Sequence, residues 1–120
     1  MKRVLLFTLL GALCVVQSPA APKWVRRATA VAACAASGAD AWTTYQGKRA
    51  GMPETNPLFR AANGTPAMGR VISFKVGLCA ASIWLQERDH NVHSNLFVVE
   101  NAAFAAWFAA IAKHNSDLIK

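Results

Sequence analysis

Three apolar stretches make up most of this chain, and each holds a charged residue inside it. Asp40 lies in residues 28–45, Lys75 in 68–85 and Glu100 in 96–112. An unpaired charge in an apolar medium costs several kcal/mol or more. A fold built from these stretches must therefore pair the charges, set them along a wet cavity, or keep the stretches out of a membrane. No stretch alternates with period two for long enough to form a strand, so the chain reads as all-α.

Each stretch is 17 or 18 residues long. That is the short limit for crossing a hydrocarbon core of ~30 Å as a helix. Trp24 precedes the first stretch, Trp42 and Tyr45 end it, and Trp84 ends the second, a placement that resembles an interfacial aromatic belt. Small residues recur every fourth position, as Ala32-Ala36, Cys34-Gly38 and Ala102-Ala106-Ala110. Such rows let membrane helices approach closely. The expectation is a three-helix transmembrane bundle, an antiparallel hairpin plus a third helix, with the lipid bilayer as its surroundings. The alternative is a soluble exported helical bundle. Hydrophobic residues reach 54%, yet the surplus is mostly alanine and mean hydropathy is only +0.25. Alanine favours helix in either solvent.

Met1-Lys2-Arg3, an apolar run over 4–16, and small residues at Ser18 and Ala20 describe a secretory signal peptide over 1–20. A retained membrane anchor is the other reading of that segment. The rest divides into a basic linker at 21–27, a membrane domain at 28–112 with a loop at 46–67, and a polar tail at 113–120. The expected location is a bacterial inner membrane, with the periplasm as the alternative. Lys and Arg number 13 against 6 acidic residues, a net charge of +7. These cations sit at segment ends, form no dense stripe and are not interleaved with aromatics, which argues against nucleic acid as a partner. Lys48, Arg49, Arg60, Arg70, Lys113 and Lys120 on the loop side outnumber Lys23, Arg26, Arg27 and Arg88 opposite, which favours a cytoplasmic loop.

Asp40 lies five residues before the end of the first stretch, and Lys75 seven after the start of the second. At 1.5 Å per residue their depths differ by roughly 3 Å. They can face each other across a hairpin as a structural ion pair, with proton or ion handling as the sharper alternative. Thr43 and Thr44 share a face with Asp40 and can offer it a hydroxyl. In the loop, Glu54-Thr55-Asn56-Pro57 reads as a turn, because Pro57 forces Asn56 out of helical geometry. Asn56 is also placed to cap a short helix over 58–62. Glu54 can fold back toward Lys75 or hold a cation. Glu100 and Asn101 form a secondary polar pair near the start of the third stretch.

An Asp followed four residues later by Thr, then a Gly-rich loop with Glu-x-Asn-Pro, then a Lys inside a second helix, is similar to a family of short bacterial membrane proteins of unknown function. The matching positions are Asp40, Thr44, Gly51, Glu54, Asn56, Pro57 and Lys75. The resemblance covers roughly residues 28–85. It implies a three-helix integral membrane protein in which these polar residues act as one unit, and it implies no particular activity.

Cys14 belongs to the signal segment. Cys34 and Cys79 have matching depths, but Cys34 and Asp40 are six residues apart, roughly 240° around a helix, whereas Lys75 and Cys79 share a face. The first helix is not expected to offer both Cys34 and Asp40 to the second, so both cysteines read as small buried apolar residues. Asp89, His90 and His93, beside Glu87, form a D-H-x-x-H group, read as a solvated loop and not as a metal site. No nucleophile sits beside a plausible base, and there is no phosphate-binding Gly-rich loop. The expectation is a non-enzymatic membrane component without cofactor or metal. It would pack with itself or with a membrane partner through its alanine rows. Oligomeric ion or proton handling, and a soluble exported binding module, are the alternatives.

Overall fold

A computed structural model describes residues 19–88 and 94–120. Most of the expected signal peptide, with Cys14, and the Asp89, His90 and His93 group lie outside the described residues. Three helices follow in order: α1 (Lys23–Arg49), α2 (Met68–Arg88) and α3 (Ser94–Ile119). No strand occurs among the described residues, and one isolated bridge joins Arg60 to Pro66.

Every helix is longer than the apolar stretch that announces it. α1 starts inside the segment expected as a linker, because Pro22 caps it and its carbonyl accepts the N–H groups of Val25 and Arg26 at 3.0 and 3.2 Å. Proline is pre-set for a helix start and has no N–H to leave unpaired there. α1 then runs one turn beyond Tyr45 and stops at a glycine. Gly51 takes φ +75°, Met52 N–H reaches the Gly47 carbonyl at 2.9 Å, and Gly51 N–H reaches the Lys48 carbonyl at 3.1 Å. This pair of reversed hydrogen bonds is the Schellman ending, which needs a left-handed residue. At the far end, α3 absorbs nearly all of the expected polar tail and continues to Ile119. Lys113 and Asp117, one turn apart, pair there at 2.6 Å.

The interior follows a seam that alternates steps of four and three residues. On α1 it runs Arg26, Ala30, Ala33, Ser37, Asp40, Thr44 and Gly47, all buried or half-buried. On α3 it runs Asn101, Ala105, Phe108, Ala112, Asn115 and Ile119, again buried or half-buried. A 3.5-residue period keeps one face of a helix against a neighbour over many turns. Contacts pair Thr29 with Asn101 and Asp40 with Asn115, so numbers rise together along α1 and α3. Between α1 and α2 the pairs are Arg27–Glu87, Cys34–Cys79 and Asp40–Lys75, so numbers fall along α2 as they rise along α1.

Cys34 and Cys79 form a disulfide, with Cα atoms 5.6 Å apart. This corrects the expectation that one face of α1 could not offer both Cys34 and Asp40 to α2. Cys34, Ser37 and Asp40 are spaced by three, and such rows run obliquely over a helix surface. A helix lying along that row can meet both Cys34 and Asp40, and the four-carbon stem of Lys75 covers the remaining offset. The four-residue rows expected to mediate packing lie mostly outside the seam: Ala32, Gly38, Ala102, Ala106 and Ala110 are exposed.

Two helices, α2 and the Asn95–Ile119 part of α3, are long and apolar enough to cross a membrane. α1 is not among them: its alanine-rich stretch is only weakly apolar and includes Asp40, Thr43 and Thr44.

Candidate functional site

The last turns of α1 and α3, the first turns of α2 and the loop between α1 and α2 line a half-open cavity of about 380 Å³. Its walls bring together Asp40, Thr44, Lys75, Glu54 and Asn56, which lie far apart in sequence, with His114 and Asn115 from the end of α3. Pro57 is exposed and outside the cavity lining.

At the inner wall Lys75 Nζ donates to Asp40 Oδ2 at 2.5 Å, and both side chains are over nine-tenths buried. The ammonium also lies 4.1 Å from the centroid of the Phe108 ring, whose negative face adds a cation–π contact. The second carboxylate oxygen, Oδ1, receives Asn115 Nδ2 at 3.3 Å. That amide also lies 3.4 Å from Thr43 Oγ1 and 3.5 Å from Thr44 Oγ1. The threonines thus do not serve the carboxylate directly. Thr43 Oγ1 donates to the Asp40 backbone carbonyl at 3.1 Å, the usual bond of a helical threonine to the preceding turn. Asn115 takes the role expected of the hydroxyls, and it does so because α3 carries its helix through the segment expected to be a tail. The one advance signal for it was its place in the seven-residue spacing 101, 108, 115.

The outer wall is a self-tied loop. Asn56 Oδ1 accepts the Leu58 N–H at 3.0 Å, and Glu54 Oε1 accepts the Asn56 N–H at 2.8 Å. Phe59 N–H closes onto the Asn56 carbonyl at 3.1 Å. These are the side-chain-to-backbone turns that Asn and acidic residues favour. They leave a turn where a short helix over 58–62 was an option. Next comes a small hairpin. Ala61 and Thr65 pair at 2.8 Å, Ala67 N–H meets the Phe59 carbonyl at 2.6 Å, and Gly64 takes φ +80° at the tip. Glu54 N–H joins the Gly64 carbonyl at 2.9 Å, which ties the two halves of the loop. Arg60 clamps them further by donating to the carbonyls of Glu54 at 2.8 Å and Thr55 at 3.0 Å. Phe59 packs edge-on against Phe74 of α2 at 5.4 Å, fixing the loop to the bundle. Glu54 therefore faces the same cavity as Lys75, but among the described residues no ion pair joins them.

The secondary residues separate. Glu100 is exposed and outside the cavity. Asn101 is 1% exposed at the other end of the bundle, where its Nδ2 donates to Gln86 Oε1 at 2.9 Å and lies 3.5 Å from Thr29 Oγ1. Ser82 Oγ lies 3.4 Å from Asn101 Oδ1, and Arg26 Nη1 reaches the Gln86 carbonyl at 3.4 Å. Sequence reading missed this second polar cluster because Gln86 lies just outside the apolar stretch, and Arg26 in the expected linker. Among the described residues no group of three or more His, Cys, Asp or Glu is placed to hold a metal ion. Comparison with protein-family models, with curated proteins and with solved structures finds no match to this chain.

Proposed function

We propose that this chain is a small integral membrane protein of the three-helix type that its Asp40, Thr44, Glu54, Asn56, Pro57 and Lys75 pattern resembles. The observation that carries the proposal is the inverted distribution of polarity. Among the described residues Arg26, Ser37, Asp40, Lys75, Gln86 and Asn101 are buried, whereas the buried hydrophobic side chains are Ala30, Val71, Phe108 and Ala112. Trp24, Trp42, Trp84, Trp107, Ile72, Phe74, Val76 and Leu85 are exposed. Water would drive these apolar groups inward. A bilayer solvates them and leaves polar contacts to bind the helices together. α2 and α3 are the spans that length and composition support directly. α1 joins them as a third, antiparallel to α2, with Asp40 neutralised by Lys75. The role is non-enzymatic: a component that packs with a second copy or a membrane partner, for which the exposed Ala102-Ala106-Ala110 row offers a smooth surface. The location is a bacterial inner membrane, reached through the N-terminal signal, with the loop of residues 50–67 facing the cytoplasm.

The test is labelling of introduced cysteines in intact membranes. Val76 is 62% exposed in the isolated chain. Val76→Cys is expected to resist a water-soluble maleimide until detergent is added, while Thr55→Cys in the loop reacts in inside-out vesicles. Rapid labelling of Val76→Cys without detergent would sink the membrane reading.

A further inference from the structure

We infer that the exposed alanine face of α3 is the seat of the chain's own first eighteen residues, retained as a fourth membrane helix antiparallel to α3. The proposal names the occupant of the Ala102-Ala106-Ala110 row and rests on the membrane reading above. It begins with the place where the described chain starts. The carbonyl of Pro19 accepts Asn95 Nδ2, in the first turn of α3, at 2.7 Å. At 100° per residue, Asn95, Val99, Ala102, Ala106 and Ala110 fall within about 80° of one another around the helix. Val99 and the three alanines are exposed, whereas Asn101 and Phe108, on the other side of α3, are buried. The eighteen residues that precede Pro19 therefore join the bundle at the head of a smooth apolar face.

Their length and composition suit that face. Residues 1–18 hold an apolar run over 4–16 behind Met1-Lys2-Arg3. Eighteen residues of helix span roughly 27 Å, about the length of α3 from Asn95 to Ala112. Counting back from Pro19 as α3 counts forward from Asn95, Ala12 comes level with Ala102 and Thr8 with Ala106. Small residues then meet small residues, four apart on both helices, which is the spacing that lets membrane helices approach closely. Lys2 and Arg3 reach the loop end, the side where the proposed orientation places most of the other cations. The tether selects this occupant over others. A segment joined to the head of the face meets it at an effective concentration on the order of millimolar. A second copy or an unrelated membrane helix has no such advantage. The same contact protects the segment from removal after Ala20. Pro19 is held by α3 and Pro22 caps α1, so the backbone on both sides of that bond is fixed.

The experiment is disulfide cross-linking of the full chain, expressed in bacterial membranes and reconstituted in phosphatidylglycerol vesicles. Ala12→Cys and Ala102→Cys are combined in a Cys14→Ser background, while Cys34 and Cys79 stay paired with each other. Intact mass and peptide mapping after oxidation with copper phenanthroline read the outcome. The chain is expected to retain residues 1–18 and to link Ala12→Cys to Ala102→Cys within one molecule. Ala12→Cys with Ala81→Cys, an exposed position of α2 at the same depth, is the control and is expected not to link. Circular dichroism on heating checks that both variants remain folded. A mature chain that begins at Ala21, no link to Ala102→Cys in folded protein, or equal linking to Ala81→Cys overturns the proposal. So does a link found only between molecules, seen as hybrid peptides when 14N and 15N chains are reconstituted together, which assigns the face to a second copy. Val76→Cys labelling tests the bilayer separately. A protected Val76→Cys without the cross-link sinks this proposal and leaves the membrane reading intact.

Discussion

Asp40 and Lys75 occupy the least forgiving position in the molecule. Each is buried, and each is the other's charge partner at 2.5 Å. Removing one member of a buried pair strands the other, which costs about 3–5 kcal/mol. Replacing both by apolar residues leaves no stranded charge and is often near neutral. Asp40→Ala and Lys75→Ala are therefore each expected to lower stability by about that amount, and Asp40→Ala with Lys75→Met to recover most of it. Thermal unfolding in detergent, read by circular dichroism, measures this cycle. A double variant as unstable as the sum of the singles would show that the two side chains do not act as a pair. Asn115 belongs to the same unit, because Asp40 Oδ1 receives its amide.

At the level of elements, two devices hold α1 and α2 in register: the ion pair near the loop and the disulfide one to two turns away. The Cys34–Cys79 link closes a segment of 45 residues in sequence separation. Chain-entropy arguments give such a closure about 2–4 kcal/mol, acting through the unfolded state. Reduction, or Cys34→Ser with Cys79→Ser, is expected to lower the unfolding free energy by that amount without changing helix content. Equal denaturant midpoints with and without reductant would contradict it. The loop end carries its own fixed point at Gly51, whose φ of +75° an L side chain rarely adopts. Gly51→Ala is expected to cost about 1 kcal/mol. It would shift Met52 from its place beside Gly47 and so alter the cavity wall, a change that amide exchange across residues 50–56 would register.

For the whole molecule, the question is which solvent stabilises an interior rich in polar contacts and a surface rich in tryptophan. Four of the exposed large apolar groups are tryptophans, at positions 24, 42, 84 and 107. A bilayer suits that surface at its interfaces and along its core. Wild-type chain is accordingly expected to stay with the membrane pellet through alkaline carbonate extraction. Release into the supernatant as a folded, monodisperse protein would instead favour the soluble exported module.

Composition and period determined the class of structure. Three apolar, alanine-rich stretches without alternation dictate helices, because a helix satisfies its own backbone and alanine costs it little. The turn at Asn56-Pro57 was legible as well, since Pro57 and Asn56 act on their immediate neighbours. The depths of Asp40 and Lys75 followed from the same local geometry, a fixed rise per residue. What the tertiary structure alone decided is which faces meet. α1 lies along α3 as well as α2, so Asn115 arrives at Asp40 from 75 residues away. Cys34 and Asp40 both reach α2, as the disulfide and the ion pair show. The far ends of α2 and α3, too, were set by tertiary contacts. Polar residues beyond those two apolar stretches stay helical because Gln86 and Asn115 find partners on other helices. The physical reason is one of range. Propensity, capping and turn chemistry act within a few residues, whereas crossing geometry and cavity shape depend on groups that the sequence separates and only packing brings together.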